Sequence, residues 1–93
     1  MEVVQVIPTK DYKVYIYFAD GKIKLFDARP LVGKGVFAAL ADPDFFLKRA
    51  TVLNNTLAWD KSGYYDPTQC LDLDPDTLYA QSVDVEDPCA KIA

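Results

Sequence analysis

Five aspartates near the end of the chain have the residue type and spacing that could do chemistry. They are Asp60, Asp66, Asp72, Asp74 and Asp76. Carboxylate oxygens at alternating positions are ligands that Ca²⁺ and Mg²⁺ prefer, but the run lacks the glycine and the distal glutamate of an EF-hand loop. An aspartate directly before a proline, as Asp74 is, commonly caps a helix. The pattern therefore favours a structural role for Asp74, and no metal site is predicted.

The same carboxylates could form a general acid–base pair, as in glycoside cleavage, but nothing in the sequence fixes their separation. The chain contains no histidine, which excludes Ser-His-Asp and Cys-His triads and the usual acid–base group near neutral pH. Its four glycines match neither of the phosphate-binding glycine motifs. We therefore expect a protein that is not an enzyme and that uses no cofactor.

The loop between Asp60 and Asp76 could still hold a small ligand or a divalent cation, which is the alternative function. Its candidate ligand residues are Trp59, Asp60, Asp66, Asp72 and Tyr79. Aromatic residues around a loop rich in Asp and Gly can line a small-molecule pocket. The competing interpretation, which we favour for Trp59, is a core side chain whose indole N–H finds a nearby acceptor. A short domain needs such apolar volume.

The elements that position these residues begin with three strands. Val3 to Ile7 is a β-branched run that ends at Pro8, and Tyr12 to Phe18 alternates between two faces. Asp20-Gly21 predicts a two-residue hairpin turn, and Lys22 to Ala28 is the returning strand. That register places Tyr15 opposite Phe26, Tyr17 opposite Lys24, and Ile16 opposite Leu25.

One face of this hairpin is a candidate interaction surface. Its predicted residues are Lys13, Tyr15, Tyr17, Lys24 and Phe26. Tyrosine and phenylalanine suit protein contacts, whereas tyrosine with lysine can also serve single-stranded nucleic acid. Residues 60–93 hold two lysines and eight acids, and this balance disfavours nucleic acid. We expect a protein partner or a second copy of the chain, a homodimer; an ordinary solvated face is the other interpretation.

The second half of the chain predicts two capped helices and another hairpin. Asp42-Pro43-Asp44 and Asp74-Pro75-Asp76 each read as a helix start. Asn54-Asn55 predicts a tight turn that places Val52 opposite Leu57. The order β-β-β-α-α-β-β, with short helices on one face of antiparallel hairpins and a terminal helical turn, predicts an α+β fold. Residues 1–83 form the predicted domain, and residues 84–93 an acidic, partly disordered tail.

Four motifs together carry a family resemblance. They are Y-x-V-x-I-x-F-x-D-G-x-x-x-x-F-D at Tyr12–Asp27, G-V-F-x-x-L-x-D at Gly35–Asp42, A-W-D at Ala58–Asp60 and D-L-D-P-D-T-L-Y at Asp72–Tyr79. With them the chain resembles the bacterial domain of unknown function (DUF) 2442 family over about residues 2–83. The resemblance implies a small α+β fold, a bacterial source and no catalytic residues. It also implies a small neighbouring protein as partner, in a toxin–antitoxin-like arrangement.

The compartment follows from what the chain lacks. No apolar run approaches the roughly 20 residues that span a membrane, and the N-terminus reads as a strand rather than an export signal. We therefore expect a cytoplasmic protein. Two cysteines, Cys70 and Cys89, are too few for a disulfide scaffold, and the sequence leaves open whether they pair.

Overall fold

Strands and short helices alternate along residues 1–89, the part of the chain that the computed structural model describes. The strands there are β1 (Val3–Pro8), β2 (Lys13–Phe18), β3 (Ile23–Asp27), β4 (Ala50–Leu53), β5 (Thr56–Asp60), β6 (Cys70–Asp72) and β7 (Val83–Asp84). The helices are a 3₁₀ helix (Gly35–Ala41), α1 (Pro43–Arg49) and α2 (Pro75–Gln81). The predicted α+β class is confirmed.

The strands form two antiparallel sheets. One has the order β1-β2-β3-β7 and the other the order β4-β5-β6. The Val3 amide at the start of β1 donates to the Asn55 carbonyl at 2.9 Å and so joins the first sheet to the turn of the second. Because β5 is the central strand of its sheet, all five of its residues are buried.

The core lies between the sheets and the helices. Strand β2 alternates strictly, so Val14, Ile16 and Phe18 are buried while the residues between them are half-buried. An aromatic series completes the core: Tyr12 meets Phe46 edge to face at 5.0 Å between ring centroids, and Phe46 meets Trp59 at 5.4 Å. Edge-to-face and tilted contacts suit the quadrupoles of the rings.

The two Asp-Pro-Asp segments cap the helices as the sequence predicts. The Asp42 carboxylate accepts from the Asp44 amide at 3.0 Å, and the Asp74 carboxylate accepts from the Thr77 amide at 3.0 Å. In each helix a proline occupies the first turn, where its missing N–H costs no hydrogen bond. The hydrogen bond from Thr77 lowers the pKa of Asp74.

The turn at Asn54-Asn55 also has the predicted form. Both asparagines have positive φ, 55° and 61°, as a type I′ turn requires. Val52 pairs with Leu57, the predicted register.

Two short strands are additional to those that the sequence predicts. Cys70–Asp72 pairs with β5 as β6. Val83–Asp84 pairs with β3 as β7, so the predicted boundary between residues 83 and 84 falls inside this strand. Residues 90–93, the rest of the predicted tail, lie outside the described residues.

Candidate functional site

The turn between β2 and β3 has three residues rather than the predicted two. The Gly21 amide donates to the Phe18 carbonyl at 3.0 Å, and the Phe18 amide donates to the Lys22 carbonyl at 2.9 Å. Gly21 has a φ of 89°, and it is the only residue of this turn with positive φ. This is the pattern of a type I turn followed by a glycine bulge. The predicted register is therefore wrong by one residue.

The shift changes which side chains share a face. Leu25 pairs with Tyr15, and Ile23 pairs with Tyr17, so the predicted pairs of Tyr15 with Phe26 and of Tyr17 with Lys24 do not form. Phe26 instead pairs with Val14 on the core side, where only 6% of it is exposed. Of the predicted interaction surface, Lys13, Tyr15 and Tyr17 stay together on the outer face, whereas Lys24 and Phe26 lie on the inner face.

The outer face of the four-stranded sheet is consequently more apolar than the sequence predicted. We call it the outer panel; its residues are Ile7, Tyr15, Tyr17, Ile23, Leu25 and Val83, brought together by pairing of four neighbouring strands. None of the six belongs to the core cluster or packs against it. Val83 is 59% exposed and the other five are half-buried. The sheet thus has a second apolar surface on the side away from the core.

Sequence reasoning missed four members of the outer panel: Ile7, Ile23, Leu25 and Val83. The error has one cause for β3, the choice of a two-residue turn. The sequence Ala19-Asp20-Gly21 also fits a three-residue turn with glycine at its last position, and that signal could have given the observed register. Val83 could not be found this way, because its strand has only two residues.

The C-terminal segment, residues 85–89, runs beside the outer panel. The Val85 amide donates to the Ile23 carbonyl at 3.0 Å, which prolongs the pairing of β7 with β3. The Tyr17 hydroxyl donates to the Asp87 carboxylate at 2.6 Å. That hydrogen bond raises the pKa of Tyr17 and lowers the pKa of Asp87. One end of the outer panel is therefore bordered by a carboxylate.

On the inner face, Lys24 has its own set of partners. Its ammonium lies 4.3 Å from the centroid of the Tyr79 ring and 3.2 Å from Asp84. Tyr79 also donates its hydroxyl to Asp20 at 2.6 Å, and this hydrogen bond raises the pKa of Tyr79 to about 12. A lysine can occupy the inner face here because α2 supplies an aromatic ring and β7 supplies a carboxylate.

Asp60, a candidate for the ligand loop, organises that loop from within. It is 2% exposed, and its carboxylate accepts from the Ser62 amide at 3.0 Å, the Ser62 hydroxyl at 2.7 Å and the Tyr65 amide at 2.9 Å. Burial raises the pKa of Asp60, but hydrogen bonds from Ser62 and Tyr65 outweigh it and lower the pKa overall. The charge of Asp60 is thus satisfied by the loop itself.

The other four aspartates of the closing region are engaged separately. Asp66 accepts from Thr68, Asp72 from Asn54, Asp74 from Thr77, and Asp76 from the Met1 amine. Among residues 1–89, no group of three or more acidic, cysteine or histidine side chains is placed to hold a metal ion. These five aspartates, although near one another in the sequence, do not come together at one site.

Trp59 and Tyr79 lie in different surroundings. Trp59 is fully buried and donates its indole N–H to the Phe46 carbonyl at 3.1 Å, the core role that its position favoured. Tyr79 packs edge to face on Phe18 at 4.9 Å. The structure therefore does not gather the predicted ligand residues around one pocket.

Cys70 and Cys89 are both free thiols, and burial raises the pKa of Cys70.

These features define a small α+β domain with two antiparallel sheets and an apolar outer face. The chain belongs to the family described as protein of unknown function (DUF2442), whose model matches residues 3–84. No curated protein and no solved structure matches the chain. The part of the chain that the structure describes contains no helix long and apolar enough to cross a membrane.

Proposed function

We propose that this chain is a non-catalytic protein-interaction module that contacts its partner through the outer panel. The observation that carries the proposal is the placement of six apolar or aromatic side chains on the sheet face opposite the core. Contiguous apolar surface of this kind is typical of contact sites. The partner is a small neighbouring protein or a second copy of the chain.

The composition of the outer panel supports a protein partner. Tyr15 and Tyr17 are flanked by Ile23 and Leu25, so aromatic rings stand among aliphatic side chains. Interface cores favour aromatic residues and are depleted of charge. Removing the exposed part of an aliphatic side chain from water contributes on the order of 1 kcal/mol to binding.

The rim of the outer panel supplies polar contacts. Lys13 lies at one end of β2, and Asp87 lies beside Tyr17 near the other end. A polar rim around an apolar centre is the usual anatomy of an interface, and charges at the rim influence orientation and association rate more than affinity. The surface therefore has the parts that specific protein recognition needs.

The experiment compares three forms of the chain. Ile23→Thr/Leu25→Thr removes apolar surface from the outer panel while threonine keeps the strand preference of a β-branched residue. Val36→Thr is the control, because Val36 is 74% exposed on the 3₁₀ helix and is not a residue of the outer panel. Affinity capture from the native host, read by mass spectrometry, reports a partner protein, and light scattering reports a homodimer.

We expect the wild type and Val36→Thr to retain the same captured protein, or the same dimer, and the double variant to lose at least about 90% of it. Equal capture by all three forms would place the contact elsewhere on the domain. A wild type that stays monomeric and captures nothing beyond a tag-only control would remove the proposal. Circular dichroism of the double variant checks that the sheet persists.

A further inference from the structure

A polar pocket of about 220 Å³ opens where the end of α1 meets the loop after β5. Its lining residues are Lys48, Arg49, Asp60, Gly63 and Tyr65. It lies apart from the outer panel, and none of its residues belongs to that surface. Two cations and one carboxylate face it, so its charge balance differs from the acidic balance of the surrounding closing region.

The carboxylate in this pocket is already satisfied. Asp60 accepts hydrogen bonds from the Ser62 amide, the Ser62 hydroxyl and the Tyr65 amide. To bring its amide to Asp60, Tyr65 adopts a φ of 58°, which is uncommon for a residue other than glycine. The loop therefore satisfies the Asp60 carboxylate by hydrogen bonds, without an ion pair to either cation.

The side chains of Lys48 and Arg49 have hydrogen-bond donors that the domain leaves largely unused. Arg49 makes one hydrogen bond, from Nη1 to the Asp60 carbonyl at 3.4 Å, and no carboxylate lies within salt-bridge distance of Lys48 or Arg49 among residues 1–89. A guanidinium has five N–H donors in a planar fork that matches phosphate oxygens. Most of the Arg49 donors therefore remain available to a ligand.

Arg49 is also held in place, because it is half-buried and its guanidinium lies against Gly63. A Cβ added at Gly63 would stand 3.1 Å from Nη1, and the φ of Gly63 is 81°. Glycine thus permits both the turn of the loop and the close approach of the guanidinium. Holding the donor before binding reduces the entropy that binding must overcome.

We propose that this pocket binds the phosphate group of a small phosphomonoester, with Arg49 and Lys48 as the anion-binding residues. The arginine fork and the lysine point charge are side chains that bind phosphate, and in this lining they outnumber the one carboxylate, whose oxygens already accept hydrogen bonds from the loop. The volume exceeds that of a phosphate group alone, so part of the ester group also enters beside Tyr65. This site does not depend on the proposed function of the outer panel.

The test titrates the full-length chain with inorganic phosphate, phenyl phosphate and benzoate at constant ionic strength, following backbone amide shifts by NMR. We expect saturable shifts at Gly63 and Tyr65 with both phosphates, tighter binding of phenyl phosphate, and weaker binding of benzoate. Arg49→Gln should weaken phosphate binding at least about tenfold, because a charge-assisted hydrogen bond is lost. Arg49→Lys should retain part of the affinity, since it keeps the charge but not the fork.

Lys34→Gln is the matched control, because it removes one exposed positive charge that does not line the pocket and should leave phosphate binding unchanged. The thermal midpoint of each variant is measured without ligand, so that loss of binding is separated from loss of fold. No saturable shift with either phosphate, or an equal loss of binding in Lys34→Gln and Arg49→Gln, would overturn the assignment. Shifts of equal size with sodium chloride would show nonspecific screening and would also overturn it.

Discussion

Two hairpins of this domain, β2–β3 and β4–β5, have turns made of similar polar residues, but the two turns differ in length and so set different strand registers. At Asn54-Asn55 both residues have positive φ, and the loop contains two residues. At Ala19-Asp20-Gly21 only Gly21 has positive φ, and the loop contains three. A pair of residues that both tolerate the left-handed region specifies a type I′ turn, whereas Asp-Gly is compatible with two loop lengths.

The difference has a large effect on the surface of the domain. Because side chains alternate along a strand, a register error of one residue exchanges the two faces of β3. In the observed register the outer panel gains Ile23 and Leu25, and the core gains Phe26. The turn between β2 and β3 thus decides whether the outer face is amphipathic or apolar.

The strongest test of this comparison pairs two truncations on β3. Phe26→Ala should cost about 3–5 kcal/mol of unfolding free energy, because it empties a buried core position. Leu25→Ala, on the outer face, should cost about 1 kcal/mol or less, since little core packing is lost. Urea denaturation of both variants shows which one loses more unfolding free energy. The reverse order would support the two-residue turn.

Substitutions in the two turns themselves should change the free energy of unfolding by smaller and unequal amounts. Gly21→Ala places a side chain at a φ of 89° and should cost about 1–2 kcal/mol. Asn55→Gly, in the other turn, relieves a positive φ while it frees the unfolded chain, so it should change stability by less than about 0.5 kcal/mol. Thermal or urea unfolding measures both. Equal effects would mean that the two turns share one geometry.

The smallest expected effect concerns the contact between the first hairpin and α2. The pKa of Tyr79 is raised to about 12 by its hydrogen bond to Asp20. A raised pKa stabilises the fold fully below the unfolded value, near 10, and this stability is lost as the pH rises towards 12. Wild type should therefore lose more stability than Tyr79→Phe between pH 10 and pH 12. The unfolding free energy of both proteins is measured by urea denaturation across this pH range. Equal losses in wild type and Tyr79→Phe would contradict a stabilising role for the hydrogen bond between Tyr79 and Asp20.

Local signals in the sequence predicted the parts of the fold that depend on neighbouring residues. The caps at Asp42 and Asp74 satisfy amides two or three residues away, so their chemistry can be read from sequence. The core role favoured for Trp59 rests on a similar argument, that a short domain must use its large apolar side chains.

The parts that could not be predicted depend on distant partners. Strands β6 and β7 have three and two residues, too few for a periodic pattern. The inner position of Lys24 depends on Tyr79 and Asp84, which follow it by more than fifty residues. The cations at Lys48 and Arg49 gain significance only when the loop after β5 folds beside them. Pairing and docking of this kind require the tertiary structure.

The hydrogen bond from the Val3 amide to the Asn55 carbonyl links the two sheets, so hydrogen exchange at Val3 reports on the opening of that link. Val3 is only 3% exposed, and its amide is bonded to the turn of the other sheet rather than within its own. Its amide exchanges with solvent deuterium when the N-terminal end of β1 detaches from that turn, when the sheets part, or when the whole domain unfolds. Exchange at Val3 as slow as that of the central β5 amides would show one cooperative unit, and faster exchange would show that this contact opens before the rest of the domain unfolds.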